Sequence, residues 1–187
     1  IRDSHSPSQA RAMGIETVYQ DLALCPHLDA VQNLHLGREV KRKGLMGALG
    51  FMNRKQMRQA SVDAFVDLGA TVRTLTEPVC AMSGGQKQGI AVARSAAWAN
   101  KIVFLDEPTA ALGVVQTANV LDLIRRVRDK GIGVVLISHS MPEVLEVADT
   151  VQVLRRGKRV ATYRAADTSI EELVGAMTGR LEREGAA

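Results

Sequence analysis

Ile102-Val103-Phe104-Leu105-Asp106-Glu107-Pro108 is an apolar run of four residues that leads straight into two carboxylates and a proline. The run is too short for a helix and is rich in strand formers, so it reads as a buried parallel strand ending at a chemical edge. By itself it also fits a core strand that ends in a surface acidic pair. The flanking sequence decides between the two. Downstream, Val114 to Lys130 has helical periodicity with Val120, Leu121, Ile124 and Val127 inward, and Gly131 stops it. Gly133 to Ser138 is a second apolar run. A strand, helix, strand unit of this length implies a parallel pair with a right-handed crossover. Ligands of such sheets bind beyond the carboxyl ends of the strands, where Asp106, Glu107 and His139 all fall.

Upstream, Ala81-Met82-Ser83-Gly84-Gly85-Gln86 opens a helix predicted from Gln86 to about Trp98. Ser83 with Gln86 three residues on is a capping box, which alone would explain the motif. The two glycines also let a backbone approach a ligand closely at a helix N-terminus, where free N–H groups and the helix dipole favour an anion. The stretch is therefore either a cap or a phosphate clamp. Further upstream, Ser6 caps a short helix from Pro7 closed by Gly14, and Ile15 to Tyr19 reads as a strand followed by Gln20 and the loop Asp21 to Leu28. From Asp29 to Ala81 the pattern is helical. Val31, Leu34 and Leu36 begin one amphipathic segment, and glycines 44, 47 and 50 interrupt it. A longer helix, Asn53 to Leu68, places Met57, Val62, Phe65, Val66 and Leu68 largely on one side.

The C-terminal part reads as a short helix from Met141 to Ala148, then a hairpin of Val151 to Leu154 and Lys158 to Tyr163 about Arg155-Arg156-Gly157. A last helix follows, Ser169 to Met177, capped by Ser169 with Glu172. Gly179 ends it, and the final Gly185-Ala186-Ala187 is expected to fray.

Composition narrows the classes further. A hydrophobic fraction of 46% with 24% charged residues is ordinary for a globular chain. No apolar stretch reaches the roughly 18 residues of a membrane span, and the start Ile-Arg-Asp-Ser-His has no signal-peptide core. Cys25 and Cys80 are expected to be reduced thiols of a cytoplasmic protein. The net charge of +4 comes from scattered clusters with only 3% aromatic residues to stack on bases, so nucleic acid is not an expected partner.

Gln20, Met82-Ser83-Gly84-Gly85-Gln86, Ile102 to Glu107 and His139, in that order, resemble the Q-loop, signature, Walker B and switch histidine of the ATP-binding cassette family. Each motif is weak alone, but four in order with a helical insertion between the first two make a specific pattern. Glu16 to Leu24, Asn33-Leu34, Leu36-Gly37-Arg38-Glu39 and Pro108 to Val114 are similar to the branch that powers bacterial monosaccharide importers of the ribose, xylose and fructose type.

The resemblance implies an α/β P-loop NTPase, RecA-like core with an inserted α-helical sub-domain. Residues 1–28 would be core up to the Q-loop, 29–98 the helical sub-domain with the signature helix, and 99–187 the core with Walker B and the switch histidine. It implies ATP and Mg2+, with Asp106 and Gln20 at the metal. Glu107 would orient the attacking water, and His139 would contact the γ-phosphate. Ser83, Gly84, Gly85 and Gln86 would meet ATP held by a second ATPase subunit in a head-to-tail dimer. Transmembrane permease subunits and, indirectly, a periplasmic sugar-binding protein would complete the system at the cytoplasmic face of the bacterial inner membrane.

This sequence departs from the pattern in three places. The 187 residues hold no Gly-x-x-x-x-Gly-Lys-Ser/Thr phosphate loop (Walker A), which in the family precedes the glutamine loop, nor the aromatic that stacks on adenine. The expectation is an N-terminally truncated chain without its first strands, with exposed apolar surface and negligible ATP binding alone. Met82 replaces the usual Leu, a volume-conserving change. Gly113 stands where most of the family has Asp. The alternative is a non-hydrolytic interaction module that supplies only its signature face to a partner's ATP. A DNA-repair or chromosome ATPase would need long coiled coils or zinc cysteines, and this sequence has neither.

Overall fold

The computed structural model describes residues 6–180, so the readings of the first five residues and of 185–187 lie outside the described residues. The described residues fall into two compact units that meet in the chain between Ile137 and Ser138. In the first, α1 (Pro7–Ala12), β1 (Ile15–Val18), α2 (Ala30–His35), α3 (Leu45–Ala48), α4 (Arg54–Leu68), α5 (Gly84–Trp98), β2 (Ile102–Asp106), α6 (Val114–Asp129) and β3 (Gly133–Ile137) follow in order. The second holds α7 (Met141–Val147), the strands β4 (Thr150–Arg155) and β5 (Lys158–Arg164), and α8 (Ile170–Thr178).

The first unit is built on a three-stranded parallel sheet in the order β1-β2-β3. Val18 pairs with Leu105, and Leu105 with Leu136, so all three strands end at one edge. One face, through Val18, Val103 and Leu105, is fully buried. It is covered chiefly by α5, whose Ile90, Ala91, Val92 and Ala93 are also fully buried. A helix that is small and apolar nearly all round belongs in a core, and α5 packs on α2, α4, α6 and the sheet at once. The other face is less covered towards β3, where Val135 and Ile137 are exposed. All-parallel sheets are ordinarily covered on both faces, so this is an unusual apolar surface.

Two expectations in the helical region need correction. Val66 is not on the inner side of α4; it is 70% exposed, and the buried stripe is Met57, Ser61, Phe65 and Leu68. Ser61 takes the inner position because its hydroxyl donates to the Met57 carbonyl one turn back, at 2.9 Å. Leu36 is also exposed, since α2 ends at His35 and the chain turns away. The predicted capping boxes at Ser83 and Ser169 are both formed in full, and Asp29 with Gln32 makes a third.

The second unit has its own small core of Met141, Val144, Val151, Val153, Leu173 and Ala176. Its hairpin turns on Arg156 and Gly157, both at positive φ (49° and 75°). Two left-handed central residues are what the right-handed twist of a two-residue hairpin requires. Cys25 and Cys80 are free thiols. Among the described residues no helix is long and apolar enough to cross a membrane.

Candidate functional site

The carboxyl edge of the sheet carries Gln20, Asp106 and Glu107. Gln20 lies two residues beyond Val18, and Val18 pairs with Leu105, so the register sets all three at the same end. Asp106 and Glu107 are half-buried, whereas Gln20 is exposed. Asp106 closes β2 opposite Ile137, and the Glu107 N–H still donates to the Ile137 carbonyl at 2.9 Å. Glu107 itself is left-handed, at φ 48°. A glutamate is uncommon there, and holding it there costs on the order of 1–3 kcal/mol. Pro108 and Thr109 behind it are buried and hold the turn.

The loop after β1 is strained in the same way, with Leu22 at φ 62° and Ala23 at φ 45°. Arg94, on the buried helix α5, fixes it by donating to the carbonyls of Ala23 (2.8 Å) and Leu22 (3.0 Å). Burial pushes its guanidinium below the usual arginine range, with nearby Glu16 opposing that shift; an arginine nonetheless stays cationic at neutral pH. Sequence reasoning missed Arg94, although a lone cation inside Ala91-Val92-Ala93-Arg94-Ser95-Ala96-Ala97 was the available signal. Charge-assisted hydrogen bonds are worth about 1.5–3 kcal/mol each. Arg94→Ala is therefore expected to speed amide exchange across 21–25 at least about tenfold, the factor that corresponds to 1.4 kcal/mol. Arg94→Lys should not restore it, because a lysine lacks the planar fork.

Asn33 supports the following turn of the loop from within. Fully buried, its Oδ1 accepts from the Cys25 N–H at 2.7 Å while its Nδ2 faces the carbonyls of Cys25, Leu28 and Asp29 at 3.0–3.1 Å. Three acceptors for two protons means that one bond is shared. Asn33→Leu would leave several backbone groups buried and unpaired, at a cost of about 2–4 kcal/mol. Urea unfolding followed through Trp98, the sole tryptophan and a member of the same unit, should show that loss.

At the signature stretch the structure realises the capping box. Ser83 Oγ accepts from the Gln86 N–H at 3.4 Å, and Gln86 Oε1 accepts from the Ser83 N–H at 3.0 Å. The cap does not use the N–H groups of Gly84 and Gly85, which helix geometry leaves without intrahelical partners. The glycines have a structural use as well: a Cβ on Gly85 would sit 2.9 Å from Gln116 Cγ, and one on Gly84 would lie 3.4 Å from Leu112. The start of α5 thus packs against the loop that follows Glu107 and the first turn of α6. Beside it opens a polar cleft of about 240 Å³ lined by Thr71, Ser83, Gly85, Gln86, Gln116 and Asn119, among others.

His139 is exposed and lies two residues past the end of β3, within the second unit. Among the described residues no three His, Cys, Asp or Glu side chains gather as a metal site. Mg2+ makes no such demand, because it keeps several waters and takes one or two carboxylates plus substrate phosphates. Asp106, half-buried at a strand end, fits that donor set.

A profile described as "ABC transporter" matches residues 2–110. The fructose import ATP-binding protein FrcA of Rhizobium meliloti is 45% identical over 179 residues, covering 95% of this chain and 69% of that protein. The chain belongs to the ABC transporter family, as its ATPase component. A second import protein, the xylose/arabinose import ATP-binding protein XylG of Sulfolobus acidocaldarius, is 41% identical, with 93% of this chain and 67% of that protein covered. The ribose import ATP-binding protein RbsA of Streptococcus agalactiae is 38% identical, but the chain spans only 35% of it. In fold, the dimeric ATP-binding cassette MJ0796 in a post-hydrolysis state bound to ADP and Pi matches with a TM-score of 0.69 at 21% identity, covering 87% of this chain and 68% of that one.

Proposed function

We propose that this chain is part of the ATP-hydrolysing subunit that drives import of a monosaccharide, working at the cytoplasmic face of a bacterial inner membrane. The observation that carries the reading is the Asp106-Glu107 pair, ending the central strand at the ligand-binding edge with Glu107 in a strained backbone state. Relatives named for fructose and for xylose/arabinose import support the class of cargo.

In this reading Asp106 would hold Mg2+, with Gln20 near the metal and water. That ion would neutralise charge on the phosphates. Glu107 orients and polarises the attacking water, and His139 stabilises the charge that develops on the γ-phosphate. Ser83, the Gly84 and Gly85 N–H groups and Gln86 face ATP held by a second ATPase subunit, so the two chains close head to tail. Residues 29–98 form the sub-domain that links Gln20 to transmembrane permease subunits, which receive sugar from a periplasmic binding protein. Residues 1–28 and 99–187 form the catalytic core.

Hydrolysis by these 187 residues, placed behind a phosphate-binding loop, tests this against the signature-only alternative. Sensitivity to both Glu107→Gln and Ser83→Arg supports the ATPase reading. Sensitivity to Ser83→Arg alone would mean that the chain lends only its signature face.

A further inference from the structure

The segment between α2 and α4 lies within the sub-domain that the ATPase reading turns towards the permease, but that reading gives its own side chains no role, and its composition is one-sided. From Val40 to Val62 there is no carboxylate, while Lys41, Arg42, Lys43, Arg54, Lys55 and Arg58 supply six cations. All six are exposed. Between them the chain forms a closed tip around α3. The base is pinned by the Arg42 N–H donating to Phe51 (2.8 Å) and the Asn53 N–H donating to Val40 (2.7 Å), with Lys41 and Met52 bridged antiparallel.

The tip then presents its apolar residues outward. Leu45 is 77% exposed, Leu49 65% and Phe51 51%, with Met46 and Met52 also exposed, and α3 buries no residue at all. Of residues 41–52 only Gly47 is less than exposed, so the tip stands clear of the unit that carries it. Large apolar side chains grouped in this way mark an interaction surface. A rim of cations around apolar side chains matches the negative charge and acyl boundary of an anionic leaflet. A face made for acidic nucleic acid would instead offer several stacking aromatics, and this one has only Phe51.

We propose that the Lys41–Arg58 tip docks on an anionic phospholipid surface, with Leu45, Leu49 and Phe51 entering the headgroup boundary and the six cations pairing with lipid phosphates. The inference does not draw on the ATPase assignment, and its readout needs no nucleotide.

The test is co-sedimentation of the chain with vesicles of phosphatidylcholine alone and of phosphatidylcholine with phosphatidylglycerol. Binding is expected only to the anionic vesicles, weakening as salt rises. Each cation near such a surface is worth about fivefold in affinity, so Lys41→Gln/Lys43→Gln/Lys55→Gln together should lower it about a hundredfold. Leu45→Gln/Leu49→Gln/Phe51→Gln should lower it at least about tenfold at unchanged charge. All six positions are exposed, and an unchanged urea midpoint shows that the variants remain folded. Equal binding to both vesicle types would overturn the proposal. So would binding that survives the tip substitutions, which would place the contact elsewhere, for instance on the open sheet face at Val135 and Ile137. Binding to neither vesicle would also overturn it and leave the tip as a protein-docking surface.

Discussion

Glu107→Gln is expected to lower ATP hydrolysis about 10²- to 10⁴-fold, the range that general acid–base catalysis contributes, when the 187 residues are assayed behind a phosphate-binding loop. The amide keeps the shape of the carboxylate but cannot take a proton from water. The backbone at this position is left-handed for either residue, so the strain is carried equally by both. The loss should fall on kcat, because the role proposed for Glu107 is to act on the water and not on nucleotide affinity. A loss of less than tenfold would remove Glu107 from the role proposed for it.

Calorimetric titration of the 187-residue chain with Mg-ATP is expected to show no affinity tighter than about millimolar. The phosphates of a bound nucleotide are normally held by several charge-assisted hydrogen bonds worth about 1.5–3 kcal/mol each, donated by a loop that this sequence does not contain. Removing a few of them takes away on the order of 6–10 kcal/mol, and micromolar binding is only about 8 kcal/mol in all. The sheet edge offers Gln20, Asp106 and Glu107, and the two carboxylates repel a triphosphate unless a metal lies between. Micromolar binding by the chain as it stands would show that other groups in it cradle the phosphates.

Much of the architecture was legible because it rests on local rules. Ser83 with Gln86 and Ser169 with Glu172 announced two helix starts, and both caps are complete in the structure. Four apolar residues before Asp106 announced a strand, since a short apolar run before a polar stop has little else to become. The inner side of α4 was less legible. Val66 looks like core by type, yet it faces solvent, while Ser61 is buried because the helix itself satisfies its hydroxyl. In the sequence the signature stretch reads equally as a helix cap or as a phosphate clamp. Gly85 also makes room for Gln116 of α6, a residue 31 positions away in the sequence, and no periodicity could indicate that.

The sequence by itself determined the order of the elements and the caps and turns, because each depends on neighbours within a few positions along the chain, and it supplied the motifs on which the proposed nucleotide chemistry rests. Tertiary structure alone decided that Arg94 holds the strained loop after Gln20 across a separation of some seventy residues, and that Asn33 buries its amide beneath that loop. It also decided that the segment about Leu45 stands outward with its leucines in solvent. These outcomes depend on which groups remain unsatisfied once the helices and sheet have packed, and that is a property of the assembled surfaces.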